Sequence, residues 1–313
     1  MSEHDDASEN LACMEIWGGN HRMSSHVQLE GIQAWVYSNP HGKAAQGGDI
    51  HYVSSCATGR ITRILLADVS GHGEQVASHS LELKRTMHRY INHISQENLV
   101  RDINRQFTQS TRQGRFATAV ALTYFSPTGE LTFCNAGHPS PLLYKASTSR
   151  WQYLEQAIDS GEPCTNLPFG ILEQTEYQQS TVSLEPGDMI LVYTDSLIDA
   201  KQNGCRIGLE GLLNLVSGLD GTQADVVVQQ LAKLATPEAS PDITGDDCCI
   251  LLFSVTSKGK ISLRQKLMAP WFMLKSLRSI FRAKERLPLP LPEWSLRNIG
   301  GFFINRLNKK SKK

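Results

Sequence analysis

The sequence has no apolar run approaching the ~20 residues needed to cross a bilayer, so a soluble or peripherally attached chain is expected. Its opening, MSEHDDASEN, is acidic and polar, with no apolar segment of the kind a secretory leader carries. Cysteine supplies no framework. Cys13, Cys56, Cys134, Cys164, Cys205, Cys248 and Cys249 are odd in number, and no pair has zinc-ligand spacing. A disulfide scaffold is not expected at 313 residues, and a reducing, cytoplasmic compartment fits better. No internal repeat is visible. Net charge is also absent, at +0, but the balance conceals a split. Residues 258–313 hold 15 Lys+Arg against two acids, leaving 16 Lys+Arg and 29 Asp+Glu upstream. An acidic body therefore carries a basic arm.

What is present is a core-forming chain, 40% hydrophobic and 20% charged. Residues 1–30 resist assignment and are treated as an extension. The body is placed at 31–257 and the tail at 258–313. Strands are expected at Ile32–Ser38, Asp49–Cys56 and Ile61–Val69. Helices follow at Glu74 to about His93 and Glu97 to about Thr111, set by their apolar rhythm. Strands return at Ala117–Phe125, Leu131–Asn135 and Leu142–Lys145, the first two joined by the turn Ser126-Pro127-Thr128-Gly129. Residues 155–175 read as loop. Tyr177–Leu184 and Met189–Thr194 flank the turn Glu185-Pro186-Gly187-Asp188, where Asp188 is read as a turn residue. Two helices, Leu209–Val216 and Gln223–Leu234, precede a last strand at Cys248–Val255. Strands in antiparallel hairpins and helices in pairs predict an α+β domain in which helices cover sheets.

Four carboxylates stand at strand ends or tight turns. Asp49 follows Gly47-Gly48, Asp68 precedes Gly71-His72-Gly73, Asp195 ends Met189–Thr194, and Asp246 with Asp247 opens the last strand. Acids at the ends of neighbouring strands can converge, because strands lie ~4.8 Å apart. Hard divalent ions such as Mg²⁺ and Mn²⁺ take oxygen donors. Two of them ~3.5–4 Å apart can bind a phosphoryl group and activate a water. No Cys or His cluster competes for this role, and no Ser or Cys is paired with a base as a nucleophile. Any one Asp, taken alone, reads as a turn or capping residue. The argument rests on the ordered set.

That set resembles the PPM (type 2C-like) phosphatases, in their bacterial SpoIIE-like branch. The matching segments are Gly47-Gly48-Asp49, Ala67-Asp68-Val69-Ser70-Gly71-His72-Gly73, Phe116-Ala117-Thr118-Ala119, Asn135-Ala136-Gly137-His138-Pro139, Tyr193-Thr194-Asp195 and Gly245-Asp246-Asp247. The resemblance implies an α-β-β-α sandwich of two antiparallel sheets flanked by helices. It implies two divalent cations, Mn²⁺ or Mg²⁺, held by Asp49, Asp68, the Val69 backbone carbonyl, Asp195 and Asp246. Asp247 and Ser196 are expected beside these ligands rather than on the metals. A metal-bridging hydroxide would attack phosphorus directly, with no phosphoenzyme. His72 is a candidate general acid, with shaping of the following helix as the equal alternative. His138 is read as a hairpin residue.

Three positions depart from the family pattern. Ser196 stands where Gly is common and is expected to strain or alter that loop. Cys249 replaces Thr or Ser, and Tyr52 replaces an acid. No arginine is assignable to the substrate phosphate.

In the tail, Leu263, Leu267, Trp271, Leu274, Leu277 and Phe281 interleave with Arg264, Lys266, Lys275, Arg278, Arg282 and Lys284. This reads as a basic amphipathic helix ahead of a Pro-alternating linker, Leu287–Pro292. An anionic membrane surface, an acidic partner (the chain's own body included) and a solvated arm compete as its role. No nucleic-acid motif accompanies the charge. The functional expectation is a phosphoserine/phosphothreonine protein phosphatase in bacterial signalling, acting on a phosphorylated regulatory protein such as an anti-sigma-factor antagonist. The alternatives are a catalytically weak pseudophosphatase serving as a binding module, and a hydrolase of small phosphoesters.

Overall fold

The computed structural model describes residues 9–10, 16–41, 44–55, 60–71, 74–90, 93, 95–111, 115–155, 166–202, 204–219, 223–234 and 246–258. In chain order the first strands are β1 (Glu9–Asn10), β2 (Ile16–His21), β3 (Met23–Leu29), β4 (Ile32–Asn39), β5 (Gln46–Ser55) and β6 (Ile61–Val69). Helices α1 (Glu74–Tyr90) and α2 (Gln96–Ser110) follow. Next come β7 (Ala117–Phe125), β8 (Glu130–Ala136), β9 (Leu142–Lys145), β10 (Arg150–Tyr153), β11 (Ser180–Ser183) and β12 (Met189–Tyr193). The chain continues through α3 (Asp195–Asp199), β13 (Lys201–Gln202), β14 (Cys205–Arg206), α4 (Gly208–Gly218), α5 (Ala224–Leu234) and β15 (Cys248–Val255).

Two sheets stack face to face. One has the order β1-β3-β4-β15-β12-β9-β10, the other β11-β8-β7-β6-β5-β2. Neighbours pair antiparallel except β1 with β3. Strand alternation sends one set of side chains between the sheets, among them Val53, Leu66, Val120, Val192, Leu251 and Phe253. The opposite faces are covered by helices. Leu83, Val100, Ile103 and Phe107 of α1 and α2 pack on Ile50, Leu65 and Ala121. Leu212, Val227 and Leu231 of α4 and α5 pack on Leu142, Leu191 and Ile250. The α-β-β-α layering expected from the sequence is the observed one.

Three features differ from the sequence expectation. Residues taken as an extension supply β2, which pairs with β5, and β3, which pairs with β4, so the sandwich begins before residue 31. Strand β10 and the short helix α3 were not anticipated. Ser196 sits inside α3 with no positive φ, so the expected backbone strain is absent. Among the described residues, no helix is long and apolar enough to cross a membrane. His72 and the tail pattern at 259–313 lie outside the described residues.

Candidate active site

At one end of the sandwich the strand pattern points polar groups, not apolar ones, into the space between the sheets. Asp49 on β5 and Asp68 on β6 are direct cross-strand partners, and Asp68 is in turn opposite Thr118 on β7. Their side chains therefore share one face, in line with the buried Val53, Leu66 and Val120 further along each strand. From the other sheet, Thr194 follows β12 and Asp247 precedes β15, each in phase with interior residues Val192 and Cys249.

Two hydrogen-bond links tie the sheets together here. The Thr194 hydroxyl donates to Asp49 Oδ2 at 2.7 Å and accepts from the Cys249 N–H at 2.9 Å. His138, just beyond β8, bridges Thr118 Oγ1 at 2.9 Å and the Tyr193 carbonyl oxygen at 3.0 Å. Sequence reasoning had assigned Thr194 no role of its own and read His138 as a hairpin residue. The signal for both lay in the segments Tyr193-Thr194-Asp195 and Asn135–Pro139.

Asp247 does not point freely into this space. Its carboxylate accepts the His41 N–H at 2.7 Å and the Gly48 N–H. This close approach explains Gly47-Gly48. A Cβ on Gly47 would fall 2.5–2.7 Å from the Asp247 carboxylate, and one on Gly48 would fall 3.1 Å from the Val69 carbonyl oxygen. The same geometry places that carbonyl beside the β5 entrance, next to Asp49 and Asp68. Asp195 begins α3 half-buried, while Asp246 is exposed and accepts the Asp247 N–H at 2.9 Å.

Electrostatics mark the cluster. Burial first, then the Asp68 charge, holds the Asp49 carboxyl well above the usual carboxylate range. Burial pushes Asp68 up to about 7, helped by Asp195, Asp246 and Asp247. Asp195 is raised by burial and then by Asp246 and Asp199. Like charges gathered in low dielectric disfavour ionisation. Among the described residues, no Lys or Arg forms an ion pair with any of these five acids.

The donor set fits a divalent cation in kind, being all oxygen, partly buried and rich in uncompensated negative charge. The side chains lie within electrostatic reach of one another. Among the described residues, however, no three His, Cys, Asp or Glu side chains are drawn into a single coordination shell.

The neighbours are neutral. Burial pushes His51 down to about 3 and the Cys249 thiol well up. Cys249 Sγ lies 3.6 Å from His51 Nδ1, inside the core and away from solvent. Tyr52, where an acid was looked for, faces α1 and α2 instead. Arg115 lies at the β7 entrance, its Nη1 2.8 Å from where a Cβ on Gly71 would sit. That puts a cation three residues beyond Asp68, which sequence reasoning had not assigned.

Two antiparallel sheets flanked by helices are the fold of the PP2C-type phosphatase domains. The PP2C phosphatase domain of SpoIIE from Bacillus subtilis superposes with a TM-score of 0.57 at 15% identity, over 77% of this chain and 71% of that one. RsbX in complex with magnesium superposes at 0.56 with 18% identity, over 75% of this chain and all of that one. The family model of Stage II sporulation protein E (SpoIIE) matches residues 58–256, and the chain belongs to that family. Among curated relatives, the phosphoserine phosphatase RsbP of Bacillus subtilis (strain 168) is 26% identical over 194 residues, 60% of this chain and 45% of that protein. The chain spans about half the length of the curated relatives it matches.

Proposed function

We propose that this chain is a metal-dependent phosphoserine/phosphothreonine protein phosphatase that hydrolyses its substrate directly, without a phosphoenzyme. The observation that carries the reading is the Asp49–Asp68 pair. Two carboxylates face each other across adjacent strands in a buried cleft; burial raises both pKa values, with the Asp68 charge adding to Asp49 and the charges of Asp195, Asp246 and Asp247 adding to Asp68. Such a pair costs stability unless a cation occupies it. Asp49, Asp68, the Val69 carbonyl, Asp195 and Asp246 would hold two ions, Mn²⁺ or Mg²⁺. The magnesium in RsbX supports a divalent ion of this kind. When bound, the ions would supply an acidic water for attack on phosphorus and neutralise charge on the phosphoryl oxygens.

The chain's own residues do the positioning. Thr194 holds the Asp49 carboxylate from the opposite sheet. Asp247 holds the Gly47-Gly48 approach against the Val69 carbonyl. Asp68 sits at the end of a strand hydrogen-bonded on both sides, so its position is rigid. No Ser or Cys nucleophile is needed for direct hydrolysis, and Cys249, a buried neutral thiol, is unsuited to be one. The substitutions Ser196 and Cys249, the grounds for a non-catalytic scaffold, are accommodated without strain or loss of an acid. The family and the name of RsbP support phosphoserine on a regulatory protein, such as an anti-sigma-factor antagonist, as the substrate.

The test is phosphate release from a phosphothreonine peptide and from a folded phosphoserine protein, with Mn²⁺ or Mg²⁺, comparing wild type with Asp68→Asn. Metal-dependent turnover that falls at least about 100-fold in the variant is expected, since one ligand and its charge are lost. Wild-type protein that is folded but inert on every phosphoprotein tried would reject the reading.

A further inference from the structure

The hydrogen bonds around His138 have a direction that can be worked out. The Tyr193 carbonyl oxygen can only accept, so His138 Nε2 must carry the proton. Burial pushes the imidazole down to about 4, so it holds one proton at neutral pH and Nδ1 has only a lone pair. Nδ1 must then accept, and the Thr118 hydroxyl must donate to it. Thr118 has spent its one proton on His138. Its remaining lone pairs lie on the side chain that stands directly opposite Asp68.

His138 is held too firmly to offer another arrangement. Its backbone N–H donates to Asn135 Oδ1 and its carbonyl accepts from Asn135 Nδ2, both at 2.8 Å. Gly137 takes the positive φ of 72° that the turn into His138 requires. His138 is 5% exposed, and both ring nitrogens are partnered. The link crosses from the sheet that carries Asp68 to the strand end that carries Thr194 and Asp195.

We propose that Thr118 presents a fixed hydrogen-bond acceptor to the Asp68 cleft, and that His138 is the positioning residue that sets its polarity. The partner this acceptor selects is a donor, namely the water that attacks phosphorus. Thr118 would orient one of its O–H bonds and leave a lone pair aimed at the phosphoryl group. No proton is transferred along the chain. The Thr118 proton stays on its oxygen, the water proton stays on water, and His138 remains neutral. The inference rests on the phosphatase reading of the Asp49–Asp68 site. It adds to that reading a residue from Phe116-Ala117-Thr118-Ala119 and a role for the histidine of Asn135–Pro139.

The experiment compares wild type, Thr118→Val and Thr118→Ser on the full chain. Valine keeps the shape and removes the oxygen, while serine restores it. We expect Thr118→Val to lower kcat about tenfold, as loss of one oriented hydrogen bond does. The phosphopeptide KM and the Mn²⁺ dissociation constant should stay within about twofold of wild type. Thr118→Ser should recover most of kcat.

Nitrogen-15 NMR of the metal-free wild type gives a readout independent of turnover. His138 should show a neutral ring protonated at Nε2 at neutral pH, and in Thr118→Val the Nδ1 resonance should shift while the tautomer stays. A proton found on Nδ1, an unimpaired Thr118→Val, or a serine variant as slow as the valine variant would each overturn the proposal. A wild type that is inert towards phosphoproteins would instead sink the phosphatase reading, and this role with it.

Discussion

At the residue scale, the acids of the cleft sit where burial and like charge oppose their ionisation. Asp68, with a folded pKa of about 7, binds a proton over a range where the unfolded chain has lost it. Stability from this group is fully present below the unfolded carboxylate pKa of about 4 and is lost as pH rises through about 7. Asp49 and Asp195 shift in the same direction and add to the trend. Metal-free protein should therefore melt at progressively lower temperature as pH rises from about 4 to about 7. Saturating Mn²⁺ should reverse this. At 100 times the dissociation constant a bound ion contributes about 2.7 kcal/mol, or roughly 5–10 °C for a body of this size. Calorimetric melting with and without the ion, across that pH range, checks both signs. A midpoint indifferent to metal would contradict the placement of cations here.

At the scale of elements, the turn between β11 and β12 is a structural knot separate from the acidic mouth. Asp188 is 1% exposed and pairs with Lys145 Nζ at 2.7 Å. It also accepts the Ala146 N–H at 2.9 Å and the Glu185 N–H at 3.0 Å. The turn reading from Glu185-Pro186-Gly187-Asp188 thus has a physical basis in three bonds that close the hairpin onto β9. Asp188→Ala strands two amides and leaves Lys145 only its bond to the Ser183 carbonyl. It should cost about 3 kcal/mol and lower the melting midpoint by roughly 6–12 °C. Turnover per folded molecule should be unchanged, because Asp188 takes no part in the cleft; denaturation and activity assays on one preparation separate the two effects. The elements that sequence patterns missed share a cause. β10 lies at a sheet edge with an exposed face, and α3 is a single turn. Such elements bury little, so they carry weak periodicity, and it is pairing to a neighbour that makes them regular.

For the whole molecule, charge is distributed by region. The acidic body and the basic, aromatic-bearing segment 258–313 have opposite signs. A basic segment carrying Trp271, Phe272, Trp294, Phe302 and Phe303 has the composition that partitions to an anionic interface. The full chain should co-sediment with phosphatidylserine-containing vesicles, not with neutral phosphatidylcholine vesicles, and raised salt should release it. Equal binding to both vesicle types, or to neither, would turn attention to an acidic protein partner.

Alternation, turn residues and helical rhythm were enough to determine the central strands, the paired helices and the layered class, since those properties depend on neighbours along the chain. The order of the acidic segments was likewise legible, and with it the family. What tertiary structure alone decided was which groups meet. Asp49 faces Asp68 because β5 and β6 pair in that register. Asp247 turns to the Gly48 amide, Thr194 reaches Asp49 from the other sheet, and His138 joins Thr118 to Tyr193. Each of these hydrogen bonds joins residues 20 to 199 positions apart. Register and sheet stacking set such distances, and neither is written in local sequence pattern.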